Sequence, residues 1–188
     1  MRLWLIRHAE AAAAPGVAVG WSDPPLSEPG ERRARALAAE LAATELTGVY
    51  SSDLRRALRT AELIAAAHGL AVLAAPELRE LDFGAWEGRA LGELWTEEPE
   101  SATAWERDLR QTPPSFGETV AELEQRVRRF AGGPLARARG PVAIVAHRGS
   151  LAALRTVLTG CGFAAAWATP CVPGVAVPLD LEVARCSR

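Results

Sequence analysis

The stretch Pro141 to Ala146, PVAIVA, carries no polar side chain. It is too short for an ordinary buried helix and its Val and Ile residues favour a pleated surface, so it reads as a strand covered on both faces. Such a strand lies in the middle of a sheet and needs helices above and below it. The rest of the chain supplies candidates for both. Residues 2 to 7, 48 to 51, 71 to 73, 175 to 179 and 181 to 184 read as further short strands. Ser27 caps a helix expected to run to about Ala43, with Glu28 and Glu31 in its first turn. A helix from Asp53 to about His68 places Leu54, Ala57, Leu58, Ala61 and Ile64 on one face, and one from Glu118 to about Phe130 aligns Val120, Leu123, Val127 and Phe130. Ser150 to about Leu158 reads as another helix, residues 90 to 110 as weakly helical, and residues 10 to 26 and 76 to 88 as loops. Strands alternating with helices predict an α/β fold, a three-layer α/β/α sandwich with a mostly parallel mixed sheet. With 188 residues, no internal repeat and no linker, residues 1–188 are expected to form a single domain.

The composition narrows the function classes. The 21 basic residues are all arginines and the 23 acidic ones leave a net charge of -2, which gives no footprint for nucleic acid or an anionic membrane. Without lysine, Schiff-base chemistry and a lysine phosphate clamp are excluded. Cys161, Cys171 and Cys186 are odd in number and lack CxxC or CxxH spacing, which predicts free thiols in a reducing cytoplasm. Arg7, His8 and Glu10 interrupt the apolar start, so no signal peptide is expected, and no segment approaches the ~18 apolar residues of a membrane span. A cytoplasmic protein, monomer or homodimer, is the expectation.

His8 and His147 each follow a short apolar run, and each has an adjacent arginine, Arg7 or Arg148. In open α/β sheets ligands bind at the carboxyl ends of strands, so both imidazoles are expected at one pocket. Arg56 opens the helix after the strand ending at Ser51 and belongs to the same edge. Two guanidinium groups and two histidines suit a dianion, because the arginine fork matches phosphate oxygens. Their positive field lowers the pKa of a neighbouring imidazole, and only a neutral imidazole attacks phosphorus. The leaving alkoxide needs a proton, for which Glu80, in the loop from 76 to 88, is the candidate donor. Nothing spaces His, Cys or Asp as a metal site, and no metal or cofactor is expected.

Arg7-His8-Ala9-Glu10 resembles the Arg-His-Gly-Glu signature of the histidine phosphatase superfamily, which includes the cofactor-dependent phosphoglycerate mutases. The blocks GWSDPPLSEPG (20–30), SSDLRRALRTA (51–61), ELRELDFGAWEG (77–88), FGETVAELEQRV (116–127) and VAHRG (145–149) follow in the family's order. The resemblance implies a phosphoglycerate mutase-like fold, a phosphorylated nucleophile at His8, phosphate binding by Arg7, Arg56 and His147, and a proton donor at Glu80. Arg56 rather than Arg55 matches because the family's arginine directly precedes an alanine, here Ala57. Glu87 matches a position outside the catalytic set. Within the superfamily, the opening MRLWLIRH, the PELRELDFGAWE block, the Ala104-Trp105 pair and the His-x-Gly look most like the α-ribazole phosphatases, which implies α-ribazole 5′-phosphate as the small-molecule substrate.

Three positions depart from the pattern. Ala9 replaces a glycine, which is tolerable if its φ is negative. Ala14 stands where many relatives have an asparagine, and Arg148 where they have glycine. Trp21, Trp86 and Trp105 flank pocket loops and are the tryptophans placed to stack on an aromatic leaving group, the others being packing residues. The competing readings are a broad-specificity phosphatase, a phosphoglycerate mutase and a non-catalytic phospholigand-binding module. Mutases are typically longer, with segments that cover the site, and a silent module would lack one of the five groups.

Overall fold

The fold is described from a computed structural model that covers residues 1–108, 110 and 116–181. The all-apolar run forms β4 (Val142–Ala146), buried at every position. Its neighbours are β1 (Arg2–Arg7) and β2 (Gly48–Ser51), both parallel to it, with β3 (Val72–Ala74) beyond β2. β5 (Ala176–Asp180) closes the other edge antiparallel to β1, so the order is β3-β2-β4-β1-β5.

Alternation along each strand sorts the core into two layers. Leu3, Leu5, Val142 and Ile144 point to one side, where they meet α5 (Val120–Gly132) and α6 (Arg148–Thr159). Ile6, Val49, Ala143 and Val145 point to the other, against α1 (Glu28–Leu41) and α2 (Arg55–Ala67). Large side chains such as Phe130, Ile144 and Ile64 are fully buried. Each contributes about 1.5–3 kcal/mol, and truncating one to alanine costs about 2–5 kcal/mol because a cavity remains. With β1, β2 and β4 parallel, their carboxyl ends bring residues 7–8, 51–52 and 146–147 to one edge.

The differences from the sequence reading lie at element ends and in the second half. α2 begins two residues later than Asp53, because that carboxylate does not cap the helix. It binds the Arg79 guanidinium at 2.8 and 2.5 Å. The weakly helical region is two helices, α3 (Leu91–Glu97) and α4 (Pro99–Arg107), broken at Glu98 because the residue before a proline is pushed out of helical conformation. α5 starts at Val120, where Thr119 and Glu122 form a capping box. α6 starts at Arg148, directly after His147, with Ser150 Oγ accepting from the His147 N–H at 3.1 Å. α7 (Phe163–Ala168) lies where the sequence reads as an irregular tail. The expected strand over 181–184 and Cys186 fall outside the described residues from 182 onward. Cys161 and Cys171 are free thiols. Among the described residues, no helix is long and apolar enough to cross a membrane.

Candidate active site

His8 extends the β1 ladder by one residue, its N–H donating to Ala146 O at 2.9 Å. Its ring Nδ1 lies 2.6 Å from Ala9 O. A carbonyl only accepts, so Nδ1 carries the proton and Nε2 presents a lone pair. Arg56 Nε donates to that lone pair at 3.3 Å. Burial drives the His8 pKa down, against the bond to Ala9, and the charges of Arg56 and Arg7 add to the fall; together they bring it to about 3. The ring is therefore neutral at physiological pH. Ala9 is buried, is not among the residues with positive φ, and bonds Thr60 Oγ1 through its N–H at 3.2 Å, so alanine fits here without strain.

Arg56 sits in the first turn of α2 and is only 1% exposed. Its Nη1 donates to Ser22 O at 2.8 Å and its Nη2 to Gly20 O at 2.7 Å. Those carbonyls belong to a loop tied down by Glu87, whose carboxylate accepts from the N–H groups of Gly20, Trp21, Ser22 and Phe83 and from Ser22 Oγ. Burial works to raise the Glu87 pKa, but these bonds prevail and hold it below the usual value. Glu87 thus acts on the loop whose carbonyls hold Arg56, outside the pocket. Arg7 Nη1 donates to Cys171 O at 3.2 Å, while its Nε is buried without a partner. Among the described residues, neither Arg7 nor Arg56 forms an ion pair with a carboxylate.

The second histidine is anchored differently. The His147 and His8 ring centroids are 4.9 Å apart at 62°. His147 Nε2 lies 3.0 Å from Ser52 Oγ, which already accepts from the Leu54 N–H at 3.3 Å. The hydroxyl is satisfied when it donates its own proton to Nε2, which leaves His147 protonated at Nδ1. That Nδ1 is buried with no partner. Burial, then the neighbouring His8 ring and the charges of Arg56, Arg126 and Arg7, keep the His147 pKa well below the ordinary histidine value. Among the described residues, His147 Nδ1 and Arg7 Nε are thus two buried nitrogens without a protein partner at one sheet edge.

Glu80 leans onto the start of α6. Its Oε1 accepts from the N–H groups of Gly149 and Leu81, both at 2.9 Å. A Cβ at position 149 would collide with Oε1, so only glycine permits the approach. The Glu80 backbone is held by Arg126, which is 7% exposed and uses all five N–H bonds. They go to the carbonyls of Glu77, Arg79 and Glu80 and to both oxygens of Glu118, at 2.7–2.8 Å. Trp21 Nε1 adds a bond to Glu80 O at 2.9 Å.

Arg7, His8, Arg56 and Glu80 line one cavity of about 320 Å³, with His147 beside His8. The arrangement sets a lone pair, fixed positive charge and a carboxyl group around one cavity, with the His147 ring next to His8. Among the described residues, no group of three or more His, Cys, Asp or Glu is arranged around a metal position. Arg148 lies exposed at the cavity edge, its guanidinium 4.1 Å from the Trp167 ring centre. Arg59, on the same helix as Arg56, pairs with Glu31 at 2.7 Å.

The tryptophan expectation needs correction. Trp86 is fully buried and donates to Glu98, so it cannot meet a leaving group, and Trp21 is spent on the Glu80 carbonyl beneath the Arg79 guanidinium. Trp105 alone of the three lines the cavity, joined there by Trp167. Sequence reasoning missed Ser52 and Arg126. The only signal for either was a polar residue adjoining a buried strand or a helix stripe.

Comparison with known proteins matches these features to a family. The family model described as the histidine phosphatase superfamily (branch 1) matches residues 3–183. The "Adenosylcobalamin/alpha-ribazole phosphatase" of Escherichia coli is 36% identical over 173 residues, covering 89% of this chain and 83% of that protein. "Phosphoserine phosphatase 1" of Hydrogenobacter thermophilus is 33% identical over 173 residues, covering 91% and 82%. The crystal structure of the alpha-ribazole phosphatase from Shigella flexneri superposes with a TM-score of 0.87 at 34% identity, covering 96% of this chain and 90% of that one.

Proposed function

This chain belongs to the histidine phosphatase superfamily and is a hydrolase of phosphate esters, and from that premise we propose that it cleaves α-ribazole 5′-phosphate through a phosphohistidine on His8. The observation that carries the mechanism is the fixed His8 ring. Its proton is committed to Ala9 O, so Nε2 faces the pocket as a neutral nucleophile. When a monoester enters, Nε2 forms a bond to phosphorus as the P–O bond to the alcohol breaks. Arg56 moves its donation from Nε2 to a phosphoryl oxygen, and Arg7 and the His147 Nδ1–H hold the others, so the charge finds donors already in place.

Glu80, protonated, gives its proton to the departing oxygen. As a carboxylate it then takes a proton from the water that attacks phosphorus, and the P–N electron pair returns to Nε2. Inorganic phosphate and the alcohol are the products. Two of the three relatives named above are α-ribazole phosphatases, which supports an α-ribazole ester as substrate.

Rapid quenching with radiolabelled ester should trap acid-labile phosphate on the wild-type protein and none on His8→Ala. Label retained in the variant excludes His8. In Glu80→Gln, kcat should fall by about 10²–10⁴ for alkyl esters and far less for p-nitrophenyl phosphate, whose leaving group needs little protonation. Equal losses remove Glu80 from the acid role. Comparison of kcat/KM for α-ribazole phosphate, sugar phosphates, nucleotides, phosphoserine and phosphoglycerates tests the substrate.

A further inference from the structure

Glu80 is gripped at both ends. Its carboxylate rests on the Gly149 N–H at 2.9 Å, so close that a Cβ at position 149 would collide with it. Its backbone carbonyl accepts from two side chains, Arg126 Nη2 at 2.7 Å and Trp21 Nε1 at 2.9 Å. We propose that Arg126 and Trp21 are positioning residues for the proton transfer: together they clamp the Glu80 carbonyl and so set where its carboxyl group meets the departing oxygen. The proposal deepens the phosphatase reading and rests on Glu80 as the proton donor.

The segment that carries Glu80 has little to hold it by itself. Two single turns, Pro76–Leu78 and Gly84–Trp86, flank an irregular stretch. Among the described residues, no backbone N–H donates to the Glu80 carbonyl. A buried carbonyl needs a donor, so the side chains of distant segments supply what a helix or strand would.

Each half of the clamp is itself braced. Arg126 spreads one planar fork over the carbonyls of Glu77, Arg79 and Glu80, and Glu118 balances its charge at 2.7 Å. The Trp21 ring lies 4.9 Å from the Arg79 guanidinium, which is tied in turn to Asp53. The Trp21 backbone N–H is held by Glu87 at 2.7 Å. Residues from α5 and from the loop before α1 thus meet on one oxygen atom. A general acid has to lie within about 2.6–3.2 Å of its target, and a misplacement of about 1 Å costs about 10²-fold. Only esters whose leaving group needs a proton feel that cost.

The test reads kcat/KM, which reports the step that releases the alcohol, for ribose 5-phosphate and for p-nitrophenyl phosphate on the whole chain. Arg126→Lys keeps a cation beside Glu118 but has three donors on one nitrogen in place of the fork. It should lower the value for the sugar ester about 30–100-fold and that for p-nitrophenyl phosphate less than about threefold. Partial unfolding would lower both alike. Trp21→Phe keeps a ring against Arg79 at an exposed position and removes only the N–H, and the same split should appear there at about three- to tenfold. Placed on Glu80→Gln, Arg126→Lys should add less than about a threefold loss for the sugar ester, because the group it positions is already gone. Equal losses for the two esters in either single variant, or full additivity in the double one, overturn the clamp, and a Glu80→Gln that still separates the esters leaves the acid role standing. If Glu80→Gln separates them no better, both readings fall.

Discussion

His8 and His147 follow parallel neighbouring strands and share a buried environment, yet their rings are anchored through different nitrogens, and the proposed mechanism gives them opposite roles. The Nδ1–H of His8 is spent on a carbonyl, which exposes a lone pair, whereas the Nε2 of His147 is spent on a hydroxyl, which exposes an N–H. The residue type is identical and the anchoring atom decides the role. In the proposed mechanism the carbonyl anchor fits His8 for attack on phosphorus. The hydroxyl anchor fits His147 as a donor.

The largest effect should come from removing the lone pair. His8→Ala should lower kcat by about 10⁴-fold or more, measured by steady-state phosphate release, and only a small loss would break the contrast. His147→Ala should cost about 10²–10³-fold while phosphoenzyme still forms, since one oxyanion donor is lost and the nucleophile stays. If no phosphoenzyme accumulates at any time after mixing, the two rings are not separable in this way.

Ser52→Ala sharpens the comparison. It removes the proton that His147 Nε2 accepts and should lower kcat about tenfold. Long-range ¹⁵N correlation spectra should show His147 leaving the Nδ1–H tautomer while His8 is unchanged. An unaltered His147 spectrum would show that the hydroxyl does not select the tautomer.

The smallest effect is on stability against pH. Both histidines have depressed pKa values, so between pH 6.5 and about 3 the unfolded chain binds protons that His8 in the fold refuses. Stability is then complete above the unfolded histidine pKa and is lost as pH falls, by up to about 1.4 kcal/mol per pH unit for each ring. Urea unfolding at pH 6.5 and 5 reads this above the main carboxylate range. His147→Gln should flatten the slope, and an unchanged slope would mean that His147 accepts a proton in the fold.

Much of this site is legible in the sequence because its residues lie at ends of apolar runs. His8, His147 and Arg56 follow from strand positions and the parallel sheet, and Arg7 comes with His8. What is not legible depends on contacts between distant segments. Ser51 and Ser52 are adjacent and equally buried, but Ser51 Oγ bonds the Ser52 carbonyl while Ser52 Oγ meets His147, a division that the serine pair does not announce. Arg126 adjoins an apolar helix stripe, and the sequence carries no sign that the loop at 77–80 folds over it. Trp95 and Trp167 belong to helices blurred by Pro99 and by a tail rich in glycine and proline. Trp21 and Trp86 mislead because nearness in sequence to a pocket loop does not say which way an indole turns.

The way Arg56 is anchored has a consequence for turnover. Its hydrogen-bond partners are carbonyl oxygens and the neutral His8 ring, so the resting protein keeps a buried cation with no carboxylate bound directly to it among the described residues. Orthophosphate relieves that imbalance as well as an ester does, and the second product should therefore leave slowly and inhibit. The feature that draws the ester in sets the toll on letting its remnant go.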